Sequence, residues 1–277
     1  MIFRSCPAPR VRLHWMAVKR LLICIAPLLL SALAVHALIV QGYDPAVNDR
    51  FASGYADAPV PNTSANFIGK GLDWSGVGWW KKDPQYSVTL LSSRHFAYTK
   101  HMAPQVGDAI TFLGKDGHLH DYHVARLQTV VLGKNGDQPI EADTAVGTFA
   151  ETVPLDDQVT HYPVAYSDKG IEPFIGRKIL TYGHMARIGS NEIVEGIMVQ
   201  GMASEYNFDT DGLTAGMGKS EVGDSGSPAF IVIDGALALV GTHWKDDTDS
   251  MVSGLIAGMN GIMAADGARL EVVPLGQ

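Results

Sequence analysis

The chain has 277 residues, with 29 acidic against 21 basic side chains, a formal net charge of −8, and 46% hydrophobic and 18% charged residues. That length supports one large β domain or two small ones with a proper core, and the composition excludes a disordered or repetitive protein. The excess of acid argues against nucleic acid or an anionic membrane as a partner.

The N-terminus stands apart. Arg4, Arg10, Arg12, Lys19 and Arg20 lie in the first twenty residues, and no acid precedes Asp44. "LLICIAPLLLSALAVHALIV" follows, twenty residues without a formal charge. A basic region, an apolar run and small residues at Val35 and Ala37 read as a secretory leader over residues 1–37, cleaved after Ala37. Met16 offers a second start, because "MAVKRLLICIAPLLLSALAVHA" is a complete leader by itself. An uncleaved anchor is the competing reading, since about 20 apolar residues span a bilayer. Pro27 and the alanine-rich end favour cleavage, and with it a secreted or periplasmic location. Five basic residues and no acid go with the leader, which moves the net charge from −8 to −13. Cys6 and Cys24 go too, so the remaining domain must hold without disulfides.

Residues 38–85 are rich in Gly, Pro, Asn and Ser and predict a long irregular segment across a domain surface. Trp74, Trp79 and Trp80 read there as anchors to the core rather than as a ligand platform. Short runs with β-branched or aromatic enrichment follow: "YSVTLLSS", "HFAYTK", "DAITFLG", "YHVARLQTVVLG" and "DTAVGTF", then "KILTYGHM", "EIVEGIMVQGM", "PAFIVI" and "ALALVGTHW". Turn residues separate them at "KDG", "KNGDQP", "SDKG", "IGSN" and "IDG". Only "SGLIAGMNGIMAADGARL" suggests a helix, short and close to the C-terminus. An all-β protein is predicted.

Two motifs fall short of their chemistry. "GLTAGMGKS" ends like a phosphate-binding loop, but the glycine such a loop requires is Leu213. "GHLHDYH" brings His118, His120, Asp121 and His123 together, yet strand alternation splits the histidines between two faces, and no metal site is expected.

"GDSGSP", residues 223–228, is different, because a serine nucleophile needs a histidine base and an orienting acid, and both occur upstream. The stretch resembles the nucleophile motif G-D-S-G-G-P of trypsin-like (chymotrypsin-fold) serine proteases, with one Gly-to-Ser departure. "TLLSSRHFAYTKHM" resembles that family's segment ending in T-A-A-H-C, which points to His101 rather than His95, although its alanines are absent and Met102 replaces the half-cystine. "EADTAVGTF" resembles the D-[IV]-A-L-L-x-L segment and points to Asp143, with Asp121 a weaker competitor. His101, Asp143 and Ser225 follow in that order, 42 and 82 residues apart.

The resemblance implies two six-stranded antiparallel β-barrels, the first over residues 86–165 and the second over 166–277. It implies a secreted serine endopeptidase with a His101–Asp143–Ser225 triad and an oxyanion hole from the Gly223 and Ser225 N–H groups. Lys219, six residues before Ser225, falls at the base of the primary specificity pocket, with Thr242 and His243 lining the cleft. An acidic or polar side chain would suit that pocket. The expected partner is a protein or peptide substrate, acted on by a monomer without metal or cofactor. "IVQG", residues 39–42, looks like the inserting N-terminus of the family, but Ile39 lies 62 residues before His101, and the match reads as coincidence. An inactive trypsin-fold binding module is the alternative.

Overall fold

The computed structural model describes residues 38–276 apart from 156–157, 200–201 and 211–212, so the leader over residues 1–37 lies outside the described residues. The chain begins with β1 (Ile39–Val40), a single helical turn α1 (Pro45–Asn48), β2 (Phe51–Ser53) and β3 (Val60–Pro61). Asp44 starts α1 by accepting from the Ala46 N–H at 2.9 Å, with Pro45 at the first helical position.

Six strands then close into an antiparallel barrel: β4 (Val77–Trp80), β5 (Ser87–Leu90), β6 (His95–Thr99), β7 (Ala109–Leu113), β8 (Leu119–Asn135) and β9 (Gln138–Phe149), in the order β4-β5-β6-β9-β8-β7. Period-two alternation fills it. Val88 and Leu90, Phe96 and Tyr98, Ile110 and Phe112, Tyr122 and Val124, and Ala145 and Phe149 share one buried cluster. Phe96 stacks on Phe149 with ring centroids 4.5 Å apart. It sits across from Gly147 in the ladder, where a Cβ would lie 2.0 Å from the Phe96 ring. A glycine is the only residue that leaves room for that ring.

The second half contributes β10 (Val164–Tyr166), β11 (Lys178–Gly183), β12 (Arg187–Val199), β13 (Met202–Phe208), β14 (Gly218–Lys219), β15 (Pro228–Ile233), β16 (Ala236–Lys245), β17 (Thr248–Met251), helix α2 (Ile256–Met263) and β18 (Val272–Pro274). Eight of these strands form one sheet in the order β15-β11-β12-β13-β17-β16-β10-β18, and β15 pairs with β16 as well. β1 and β14 make a separate two-stranded ladder. Trp74 packs edge-on against Phe230 of β15 at 5.8 Å, and Arg50, 5% exposed, donates to the Val77 carbonyl and the Tyr182 hydroxyl. Trp74 and Trp79 are buried in the same core cluster, so both serve as anchors.

The structure thus contains one closed six-stranded barrel and a short C-terminal helix, while the second half is an eight-stranded sheet where six strands were predicted. Two boundaries move. The barrel takes its first strand from Val77–Trp80, inside the segment predicted to be irregular, and β10 belongs to the second sheet. "IGSN" is not a turn, because Leu180↔Ser190 and Thr181↔Gly189 pairing carries β12 straight through it. The chain turns earlier, at His184–Ala186, where Met185 and Ala186 adopt positive φ.

Candidate active site

Sheet register builds the first half of the site. β6 and β9 pair from His95↔Thr148 to Thr99↔Thr144, which sets Asp143 one step beyond the last pair. There the chain leaves β6 in a 3-10 turn, Lys100–Met102, that carries His101. His101 Nδ1 lies 3.0 and 2.9 Å from the two Asp143 oxygens, and the His101 backbone N–H donates to Oδ1 at 3.3 Å. The Thr99 hydroxyl donates to Asp143 Oδ2 and lies 2.9 Å from His101 Nδ1.

The second half is the turn between β14 and β15. Its Ser225 Oγ is 2.8 Å from His101 Nε2. A tautomer with the proton on Nδ1 satisfies every contact: Nδ1–H donates to Asp143, and Nε2 accepts from the Ser225 hydroxyl. Two backbone bonds to β16 fix the turn, Gly226 N–H to the His243 carbonyl at 3.0 Å and His243 N–H to the Ser227 carbonyl at 2.8 Å. Gly223 has φ +107°, and a Cβ there would meet Gln85 Oε1 at 3.0 Å and His184 Nδ1 at 3.2 Å. Among the described residues nothing accepts from the Gly223 or Ser225 N–H.

Asp224 lies under the turn with no exposure. Its Oδ1 accepts from the His184 N–H at 2.6 Å and its Oδ2 from the Glu221 N–H at 2.7 Å, and the backbone N–H of Leu38 also favours the charged carboxylate. Burial pushes the carboxyl up to about 6 against those three donors and the charge of His243. Asp224 is thus held by backbone donors of the second half of the chain, and Ile39 of "IVQG" is not among them. Ile39 and Val40 pair with Lys219 and Gly218, and fully buried Leu38, one residue earlier than the motif suggested, reaches Asp224.

A cleft of about 670 Å³ opens in front of Ser225, and Lys219, Gly223, His243 and Lys245 are among the residues that line it. Lys219 is exposed at its wall. Thr242 does not reach it. Neighbours on a strand point to opposite faces, so with His243 toward the cleft Thr242 turns inward, 1% exposed, its hydroxyl 2.6 Å from that of Thr144. The prediction that both line the cleft is corrected for Thr242.

Sequence reasoning missed the residues behind His243. Its Nδ1 is 3.0 Å from Asp249 Oδ1, directly across β16 and β17, and the Tyr206 hydroxyl donates to Asp249 Oδ2 at 2.6 Å. Burial pulls the His243 imidazole down, but the bond and charge of Asp249, with Asp224 and Asp246, outweigh it and leave the ring raised. Thr99 was also missed, since only the folded register shows what its hydroxyl touches. His95 belongs elsewhere, fully buried between Ser92 and Asp266, and Asp121 is held by Lys81 and Thr111. His120 pairs with Asp116 and His123 with Glu151.

Ser225, His101 and Asp143 form one hydrogen-bonded chain that ends at an open cleft. Such an arrangement can deprotonate a hydroxyl as it attacks an electrophilic carbon. No protein-family model matches this chain, and no curated protein matches it.

Proposed function

We propose that this chain is a secreted serine endopeptidase of the trypsin-like type. The observation that carries the reading is the Ser225–His101–Asp143 chain of hydrogen bonds beside two backbone N–H groups without acceptors among the described residues. Pairing of β15 with both β11 and β16 supports reading the six strands β15, β11, β12, β13, β17 and β16 as the family's second barrel.

In this mechanism Ser225 Oγ attacks the scissile carbonyl while His101 Nε2 takes its proton. The tetrahedral oxyanion receives the Gly223 and Ser225 N–H groups. His101 then protonates the leaving amine, the C–N bond breaks, and an acyl-Ser225 ester remains. Water, deprotonated by His101, attacks the ester and regenerates Ser225. Asp143 stays ionised and holds the imidazolium. A fluorophosphonate probe should label the wild-type protein at Ser225 and leave Ser225→Ala unlabelled. Absence of label on the wild type would overturn the reading and favour a binding module.

An acidic side chain at the cleaved position is the preference that His243 supports. Lys219 and Lys245 share the cleft with Glu221, Asp246 and Asp247, so the lysines are outnumbered by acids and do not by themselves favour an acidic side chain. His243 differs because it lines the cleft while only 6% exposed, and Asp249 behind it favours the charged imidazole. A peptide library should be cut after Glu or Asp by about tenfold or more over Arg and Lys. Cutting after Arg or Lys would sink the preference.

Export also bears on Asp224. Cleavage after Ala37 turns the Leu38 amide into an α-ammonium at a buried carboxylate that otherwise accepts only N–H groups. Leader removal would then stabilise the Ser225 turn.

A further inference from the structure

We propose that Thr99 is a positioning residue that fixes the rotation of the Asp143 carboxylate, and through it the His101 ring. The inference rests on the protease reading above. It starts from a departure: Thr99 stands where the segment resembling T-A-A-H-C has its first alanine, so a hydroxyl is present where the pattern offers none.

The geometry gives that hydroxyl one arrangement. Thr99 is 2% exposed and ends β6, with its side chain on the face opposite the barrel-filling Tyr98. An ionised carboxylate only accepts, so the single Thr99 O–H donates to Asp143 Oδ2. Its lone pairs then face His101 Nδ1 at 2.9 Å, and the Nδ1 proton is shared between Thr99 and the carboxylate. Among the described residues Asp143 accepts from three groups: Nδ1 and the backbone N–H of His101, and Thr99. Two of these belong to the residue being positioned. Thr99 is the third, and it comes from a strand rather than from the turn.

Rigidity is what the strand adds. Thr99 is locked by its register with Thr144, the neighbour of Asp143, so donor and acceptor sit at the end of one ladder. The Thr99 methyl faces the nucleophile turn: a Cβ built on Gly226, next to Ser225, would lie 3.2 Å from Thr99 Cγ2. One side chain therefore meets the acid through its hydroxyl and the serine turn through its methyl, and it does not line the cleft.

The test separates hydroxyl from methyl. Thr99→Val keeps the bulk and removes the donor; Thr99→Ser keeps the donor and removes the methyl. With the best peptide substrate, Thr99→Val should lose about ten- to a hundredfold in kcat, with KM changed by less than about twofold. Thr99→Ser should stay within about threefold of wild type. The downfield proton resonance of His101 Nδ1–H should shift in Thr99→Val and stay in place in Thr99→Ser. Where the second methyl of valine prevents folding, Thr99→Ala takes its place in the same comparison. Wild-type kcat in Thr99→Val overturns the proposal, as does equal loss in the Val (or Ala) and Ser variants, or a loss that appears in KM. Fluorophosphonate labelling keeps the two readings apart: an unlabelled wild type defeats the protease assignment, whereas a labelled wild type with an indifferent Thr99 defeats only this one.

Discussion

Among the described residues, two places join a serine, a histidine and an aspartate by hydrogen bonds of similar length. At Ser92–His95–Asp266 the ring nitrogens lie 2.8 and 3.0 Å from the serine and the acid. At Ser225–His101–Asp143 the corresponding distances are 2.8 and 2.9 Å. The surroundings differ in every respect that matters for chemistry. His95 has no exposure, and Ser92 Oγ already accepts from the N–H groups of Arg94 and His95. Asp266 is further held by Arg126 and Arg94, which bind the segment after α2 to the barrel. The His101 side chain is 38% exposed, and Ser225 faces a cleft beside two N–H groups without acceptors among the described residues. A list of residue types makes a clamp in one place and a candidate nucleophile in the other.

The largest contrast is functional. Ser225→Ala should lower peptide turnover by about 10⁴-fold or more, whereas His95→Ala should leave turnover per folded molecule within about twofold. His95→Ala should instead cost about 2–4 kcal/mol, from a buried cavity and two stranded partners, read as a fall of roughly 5–15 °C in thermal midpoint. Loss of activity in His95→Ala without loss of stability would erase the distinction.

The two regions also respond to pH in opposite directions. Burial holds the His95 imidazole below the usual histidine range, against the bond and charge of Asp266. The folded clamp therefore binds its proton less readily than the unfolded chain, and stability falls as pH drops below about 6.5. Asp224 is raised to about 6, so ionising it costs the folded state, and stability falls as pH rises from about 4 to about 6. The full cost is about 3 kcal/mol. Urea midpoints of Ser225→Ala protein across pH 4–7, with carboxyl NMR of Asp224, measure both slopes. In a chain beginning at Leu38 the ammonium should move the Asp224 midpoint below 6. An unchanged midpoint would separate leader removal from the turn.

The smallest expected effect lies at Ser92. Ser92→Ala removes two backbone contacts and one ring contact at a half-buried site, a loss of about 1 kcal/mol with turnover unchanged. A catalytic defect there would mean that the clamp governs the cleft.

Much of this was legible in the sequence because it depends on local pattern. Alternating apolar residues around "HFAYTK", "DAITFLG" and "DTAVGTF" write the barrel interior directly, while His101, Asp143 and Ser225 are reached through the resemblance of "YTKHM", "EADTAVGTF" and "GDSGSP" to the trypsin-like motifs. The Thr242 error was avoidable, since adjacent strand residues cannot share a face. Other features depend on partners distant in sequence. β12 runs through "IGSN" because β11 pairs with it, and Leu38 matters because Asp224 is folded beneath Ser225. The Asp249–Tyr206 support of His243 is a cross-strand arrangement with no spacing of its own.

Gly147 has one more consequence, concerning assembly errors. A strand pair that zips one residue out of step would move Asp143 away from His101 and turn Ala145 and Phe149 out of the barrel interior. The Phe96 ring guards against this, because only position 147 lacks the Cβ that would otherwise stand 2.0 Å from it. Slipped either way, the ring loses the space that Gly147 provides and faces Val146 or Thr148 instead. The same aromatic that fills the barrel thus proofreads where the acid arrives.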